Sequence, residues 1–371
     1  MAGAIRVYDT VGMCPYLDRL AMTDDVPTTD TQADHEPGGD SEAPASGRKI
    51  ILSGMQPTGQ LHLGNLEGAL NNWVRLQNDY DMYCCIVDWH ALTADFEKVE
   101  GMQDRILQMA IDYLAAGLDP DKCAMFVQSH VPEHAELHLL FSMLVPVPWL
   151  ERMPTYKDKR DGLGLDSYGF LGYPVLQAAD ILIYRAHLVP VGKDQERHII
   201  FARDLAGRFN HLYGVDLFPL PQAKFTEFPE IPGTDGRKMS KSYGNDIRLA
   251  DTSEETTEKL RRMFTDPQKV RRNDPGRPDQ CPVFKLHRVY SEADFTAGVH
   301  RKCKTGELGC VSCKKDLSEH LNKALEPIRA RRAEWVGRPD DVWDVLKAGA
   351  VRARGRARQT MEQVRKAMHL A

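Results

Sequence analysis

The chain is predicted to fold as an α/β protein, a doubly wound parallel sheet followed by a C-terminal α-helical domain. Three observations predict it. Short apolar runs alternate with amphipathic helical patterns from residue 49 onward. A Gly/Pro/Thr turn separates the first of these runs from the first helical pattern. From about Ser253 the strand-like runs vanish, while helical patterns continue to Ala371.

Taken in order, Lys49-Ile50-Ile51-Leu52-Ser53 is the first strand. Leu66, Ala69, Leu70, Trp73, Val74 and Leu76 then recur at helical spacing behind Gly64. Tyr83-Cys84-Cys85-Ile86-Val87 is apolar throughout, as a strand buried on both faces requires. An amphipathic helix over Met102–Ala116 precedes another strand at Cys123–Gln128. Val189-Pro190-Val191 is a short strand that leads through Gly192 into a helix. Sheets of this kind place ligands at the carboxyl ends of their strands. The expected divisions are an acidic extension over 1–48, the α/β domain over 49–248 and the helical domain over 249–371. Within the extension, 22–47 is rich in Asp, Thr, Pro, Gly, Ser and Ala, with Val26 its one large aliphatic residue, and is predicted to be disordered.

At 371 residues, 42% hydrophobic and 27% charged, the composition is that of a globular protein of two domains. No apolar run approaches the roughly 20 residues a membrane helix needs, and no basic-then-apolar secretory layout opens the chain. A cytoplasmic location is the expectation. The net charge of -5 hides an asymmetry. Asp9, Asp18, Asp24, Asp25, Asp30, Asp34, Glu36, Asp40 and Glu42 crowd the first 47 residues against Arg6 and Arg19, leaving 46 Lys/Arg to 44 Asp/Glu elsewhere. The global acidity therefore does not exclude a nucleic-acid partner.

Two distant runs carry the chemistry. In Gln56-Pro57-Thr58-Gly59-Gln60-Leu61-His62-Leu63-Gly64-Asn65, the glycines permit close approach of the backbone to a phosphate. The helix that follows directs its free N–H groups and positive dipole end there, and His62 and Asn65 add side-chain donors. In Lys238-Met239-Ser240-Lys241-Ser242, two ammonium groups stand among hydroxyls, and Gly233, Gly236 and Gly244 are suitable hinges for a closing loop.

A third run, Tyr173-Pro174-Val175-Leu176-Gln177-Ala178-Ala179-Asp180, places Tyr, Gln and Asp on one face of an apolar helix. Buried polar groups without partners cost several kcal/mol, so this face expects either a polar ligand or an internal network. At the same sheet edge, Asp88-Trp89-His90 and Gly192-Lys193-Asp194-Gln195 add further polar groups. Cys281, Cys303, Cys310 and Cys313 form C-x21-C-x6-C-x2-C, four thiolates able to hold zinc or an iron–sulfur cluster. Cys14, Cys84, Cys85 and Cys123 are expected to be tail or core residues. Lys269, Arg271, Arg272 and Arg277, with Lys302, Lys304, Lys314 and Lys315, make the surroundings of the four cysteines basic. Arg352, Arg354, Arg356 and Arg358 are read as binding RNA or solvating the last helix.

The paired runs resemble the signatures of class I aminoacyl-tRNA synthetases. The QPTG-x-LHLGN, DWHALT, TYKDK, YPVLQAADILIY, VPVGKDQ and KMSKS runs, in this order over about residues 49–371, resemble the bacterial tryptophanyl-tRNA synthetases in particular. The resemblance implies a Rossmann-type catalytic domain, a helical anticodon-binding domain and a homodimer. It implies that L-tryptophan is activated with ATP and Mg²⁺ and passed to the 3′ end of tRNA(Trp), with no DNA partner.

On that likeness Gln56, Pro57, Thr58, Gly64, Asn65, Gly192, Lys193, Asp194, Lys238, Met239, Ser240, Lys241 and Ser242 contact ATP. His62, Asn65, Lys159, Lys238 and Lys241 act on the triphosphate, Lys159 by its match to a family lysine. His90, Tyr173, Gln177, Asp180 and Gln195 face tryptophan, with Asp180 accepting the indole N–H. A subset of the family carries a [4Fe-4S] cluster at a similar cysteine spacing, which favours iron–sulfur over zinc. Gln177 stands where many members have Met, so the Tyr/Gln/Asp trio also resembles tyrosyl-tRNA synthetase. The VPVG-x-DQ and DWHALT runs favour tryptophan. A non-catalytic paralogue is the remaining alternative, and the intact lysines and pocket trio oppose it.

Overall fold

The computed structural model describes residues 47–97, 99–154, 156–157, 167–225 and 230–370. Lys159 and residues 1–46, and with them all but Gly47 of the stretch expected to be disordered, lie outside them.

Strands β1 (Ile50–Met55), β2 (Asp81–Ile86), β3 (Cys123–Val127), β4 (Leu188–Val191) and β5 (Gln222–Phe225) form one parallel sheet in the order β3-β2-β1-β4-β5. The chain builds outward from β1 through β2 to β3, then crosses back and adds β4 on the other flank of β1. That reversal between β1 and β4 opens a crevice at their carboxyl ends, where ligands of such sheets bind. Alternation along the strands serves two cores. Ile51, Met82, Cys84 and Met125 belong to one, and Ile50, Leu52, Tyr83, Cys85 and Phe126 to the other.

After β1 comes a helical run of α1 (Leu63–Asn65), a π-helical turn (Leu66–Leu70) and α2 (Asn71–Leu76). The crossover helices are α3 (Asp88–Asp95), α4 (Met102–Ala116), α5 (Glu133–Ser142), α6 (Val147–Glu151), α7 (Tyr168–Ile183) and α8 (Glu196–Tyr213). Helix α4 has the bounds its periodicity predicts and ends on Gly117 at φ 110°, a left-handed cap that favours glycine.

Beyond residue 252 every described element is helical. Helix α9 (Ser253–Arg262) opens with a reciprocal cap between Thr252 and Glu255. Then come α10 (Pro282–Tyr290), α11 (Ala293–Lys304), α12 (Cys310–Val336) and α13 (Pro339–Ala367). The described residues belong to one compact unit. Helix α13 returns to the sheet: Gly349 lies so close to β3 that a Cβ there would stand 1.8 Å from the Met125 carbonyl oxygen.

Three of the four arginines read as RNA-binding or solvating, Arg352, Arg354 and Arg358, serve this docking. Arg354 and Arg358 both donate to Glu133 on α5, and Arg352 donates to the Pro120 carbonyl. Their spacing of four puts Arg354 and Arg358 on one helical face, above a single carboxylate.

Candidate active site

The two distant runs meet. Lys241 Nζ donates to Thr58 Oγ1 at 3.1 Å and to the Gly59 carbonyl at 2.9 Å. The segment after the lysine run pairs with the first turn: Leu63 N donates to Ile247 O and Leu249 N to Leu61 O. Gly64 has no Cβ because the His62 ring lies over it, 2.9 Å from where that atom would be; Met239 stands on the same side. His62 N donates to Asn65 Oδ1, so Asn65 also caps the turn. His62 is buried and its Nδ1 has no partner among the described residues. Burial, and then the charge of Lys241, lower its pKa to about 4, so the ring is neutral near pH 7.

Asn245 shapes the lysine loop, and sequence reasoning missed it. Its Oδ1 accepts from Ser240 N while its Nδ2 donates to Asp235 and to the Lys238 carbonyl. Gly233 leaves room for that side chain, and Gly236 and Gly244 supply positive φ of 86° and 62°. Ser240 and Ser242 bond to each other through their hydroxyls. Lys238 is exposed, and burial lowers Lys241 to a pKa of about 8. Beneath the turn, the buried Asp112 of α4 accepts from Leu61 N at 2.7 Å and from Arg332 Nε of α12 at 2.8 Å.

A cavity of about 290 Å³ opens in the crevice between β1 and β4. Gln56, His90, Tyr173, Gln177, Asp180 and Gln195 all line it, with Phe170 and His198, which sequence reasoning did not single out. The Tyr173 hydroxyl is 2.7 Å from His198 Nε2, and Gln56 Nε2 donates to the His90 carbonyl. At the floor Asp180 meets three side chains. His90 Nε2 is at 2.8 Å, His134 Nδ1 at 2.5 Å and Gln128 Nε2 at 2.9 Å from both carboxylate oxygens. Burial works to raise the Asp180 carboxyl, and the facing His134 and His90 outweigh it, holding it well below the ordinary carboxylate range.

On the rim, a Cβ at Gly192 would collide with Asp194 Oδ1, and Asp194 accepts from Gln195 Nε2. The Lys193 ammonium turns to Glu196 and the Phe225 ring.

The four cysteines of the helical domain line one small cavity of about 20 Å³, together with Lys269 and Phe284. Cys310 and Cys313 sit on the first turn of α12, and a Cβ at Gly276 would come 2.6 Å from Cys303 Sγ. Burial pushes both the Cys313 and Cys303 thiols up, at Cys313 with help from the neighbouring thiols and at Cys303 against the Lys269 ammonium. Among the described residues no group of three or more His, Cys, Asp and Glu is gathered tightly enough to hold a metal ion. Around this cavity Lys269 is buried and donates to the Arg272 and Asp274 carbonyls, while Arg277 pairs with Asp266. Arg271, Arg272, Lys302, Lys304 and Lys315 remain exposed.

Comparison with known proteins agrees with this geometry. Residues 45–326 match the family model for class I tRNA synthetases of tryptophan and tyrosine. The tryptophan–tRNA ligase of Thermotoga maritima is 49% identical over 86% of this chain and 99% of its own length. That of Aquifex aeolicus is 43% identical with the same coverage. Among solved structures, tryptophanyl-tRNA synthetase from Campylobacter jejuni, complexed with ADP and tryptophan, superposes with a TM-score of 0.79 at 34% identity. It covers 86% of this chain and the whole of its own. No helix among the described residues is long and apolar enough to cross a membrane.

Proposed function

This chain belongs to the class I tryptophanyl-tRNA synthetases, and we propose that its two motif runs hold ATP beside a cavity that takes tryptophan. The reaction joins tryptophan to tRNA at the expense of ATP. The observation that carries the residue assignment is the bonding of Lys241 Nζ to Thr58 and Gly59. It closes two runs 183 residues apart around one crevice.

Tryptophan lies with its indole N–H on Asp180 and its amine toward Tyr173 and Gln195, with His90 and Gln177 completing the wall. Its carboxylate then faces the motif runs. A carboxylate oxygen attacks the α-phosphorus of ATP; the bond from that phosphorus to the bridging oxygen breaks, and pyrophosphate leaves with the electron pair. No covalent nucleophile is needed, only positioning and stabilisation of charge on the leaving group.

Lys238 and Lys241 supply cationic charge, Ser240 and Ser242 hydroxyl donors, and Met239 anchors the loop between them. His62, neutral, offers a ring N–H rather than a charge. Gln56, Pro57, Thr58, Gly64 and Asn65 cradle the nucleotide from below; Gly192 and Asp194 do so from the rim, Asp194 accepting from a ribose hydroxyl. Lys193, and Lys159 by its match to a family lysine, are the further cations of this assignment. Mg²⁺ enters with ATP and neutralises phosphate charge. Lys241→Ala should remove most tryptophan-dependent ATP–pyrophosphate exchange while circular dichroism stays native, and near-normal exchange would sink the role.

For the helical domain, the reading is a [4Fe-4S] cluster on Cys281, Cys303, Cys310 and Cys313, with Zn²⁺ the other group four thiolates take. The spacing and the cavity that the four share support it; the separation of the thiols, which are not gathered tightly enough for a metal ion as they stand, speaks against it. Bound there, the group would stiffen the domain. Iron, sulfide and zinc content after anaerobic purification, with the visible spectrum, separates the two, and Cys310→Ser should lose either. The exposed basic residues nearby support contact with tRNA phosphates. Exposed Leu139 on α5, Met143 just beyond it, Val147 on α6 and Ile200 on α8 support a second copy of the chain as partner. Light scattering that finds only monomer at assay concentration would overturn that.

A further inference from the structure

We propose that His134 and Gln128 are positioning residues that set the demand for an indole N–H by fixing Asp180, with Tyr184 backing His134. The inference rests on the reading above that Asp180 meets the indole.

An ionised carboxylate only accepts hydrogen bonds, so His134 must present its protonated Nδ1 to Oδ1 of Asp180, at 2.5 Å. The other ring nitrogen, Nε2, meets the Tyr184 hydroxyl at 2.6 Å. Burial keeps that phenol protonated, so it gives its O–H to Nε2. Both nitrogens are therefore engaged, and the ring cannot turn without losing two buried bonds. Tyr184 is itself rooted in the sheet: its ring stacks on Tyr83 of β2 and meets Phe126 of β3 edge-on. Gln128, fully buried, straddles both carboxylate oxygens.

Asp180 is thus tied to two strands of the sheet through side chains that never reach the substrate. Among its three partners His90 lines the cavity, whereas His134 and Gln128 do not. They act through Asp180. A carboxylate held still and kept as a pure acceptor favours a donor from the ligand, and a ligand without one leaves its cavity-facing side without a donor. A carboxylate free to rotate or take up a proton would lose that preference.

The test measures kcat/KM for ATP–pyrophosphate exchange with tryptophan and with β-(3-benzothienyl)alanine, in which sulfur replaces the indole N–H. The ratio of the two, taken within one variant, is insensitive to how much of that variant is folded. His134→Ala should lower the ratio about 10- to 100-fold, mainly through tryptophan, as losing a charged hydrogen bond predicts. Tyr184→Phe should lower it less. His134→Asn, which keeps an N–H near the place of Nδ1, should recover most of it, with the KM for ATP steady throughout. If His134→Ala and Gln128→Ala slow both substrates alike while Asp180→Ala still collapses the ratio, the clamp is only packing and the proposal fails. If Asp180→Ala leaves the ratio unchanged, the pocket reading itself fails.

Discussion

Among the buried carboxylates of this molecule, Asp112 on α4 and Asp180 on α7 answer to different surroundings. Asp180 meets two imidazoles and an amide and still faces the cavity. Asp112 meets one backbone N–H and one guanidinium and faces no cavity assigned to a ligand. Burial works to raise both; it prevails at Asp112, whose carboxyl is raised despite Arg332, and is overcome at Asp180. Burial of a charge therefore does not by itself distinguish a ligand site from a structural joint. An opening beside a fully committed carboxylate does, because there the protein has fixed the acceptor and left one side for something else. At Asp112 the partners are the turn before His62 and helix α12, so this carboxylate braces that turn against the helical domain.

Asp180→Ala gives the largest expected contrast: about a 10³-fold fall in kcat/KM for tryptophan, with the KM for ATP little changed in steady-state exchange. Equal losses for both substrates would erase the distinction drawn here. Arg332→Ala strands the Asp112 carboxylate, and breaking a buried pair in this way costs about 3–5 kcal/mol. Urea unfolding should show that loss, while the KM for tryptophan in the folded fraction stays near native.

The smallest effect is on pH and reports on the brace through Lys241, whose ammonium the Asp112 carboxylate favours. With a pKa of about 8, Lys241 loses its proton as pH rises through that value. The kcat/KM for ATP should then decline by about tenfold per unit above it. Stability moves the other way. The unfolded chain holds that proton up to the ordinary lysine value of 10.5, so it binds more protons in between, and folding is favoured as pH rises across the interval. Asp112→Asn should shift the activity limb to lower pH. A limb that persists unmoved in Lys241→Arg would assign it to another group.

Local features of the chain announced themselves well. Apolar runs marked β1 to β4, period 3.6 marked α4, and glycine turns marked both motif runs, while β5, Gln222-Ala223-Lys224-Phe225 at the sheet edge, carries no apolar run to read. The trio Tyr173, Gln177 and Asp180 was legible because all three lie within two turns of one helix. What could not be read were partnerships across the fold. His134 stands 46 residues from Asp180, and Arg332 stands 220 from Asp112, with no pattern in the sequence to join them. Arg354 and Arg358 had the composition of an RNA-binding surface, and only the position of Glu133 on another helix shows that they serve docking. Asn245 was hidden for a similar reason: nothing local distinguishes an asparagine that organises a loop from one that merely ends it.

The contact between Gly349 and the main chain of β3 has a consequence for synthesis. β3 is the outermost strand on its flank, and an uncovered outer strand invites pairing with other chains. The cover comes from α13, which is synthesised long after β3. Until it arrives, a nascent chain holds a sheet with one adhesive margin, so truncation within α13 should yield aggregates rather than a smaller working enzyme.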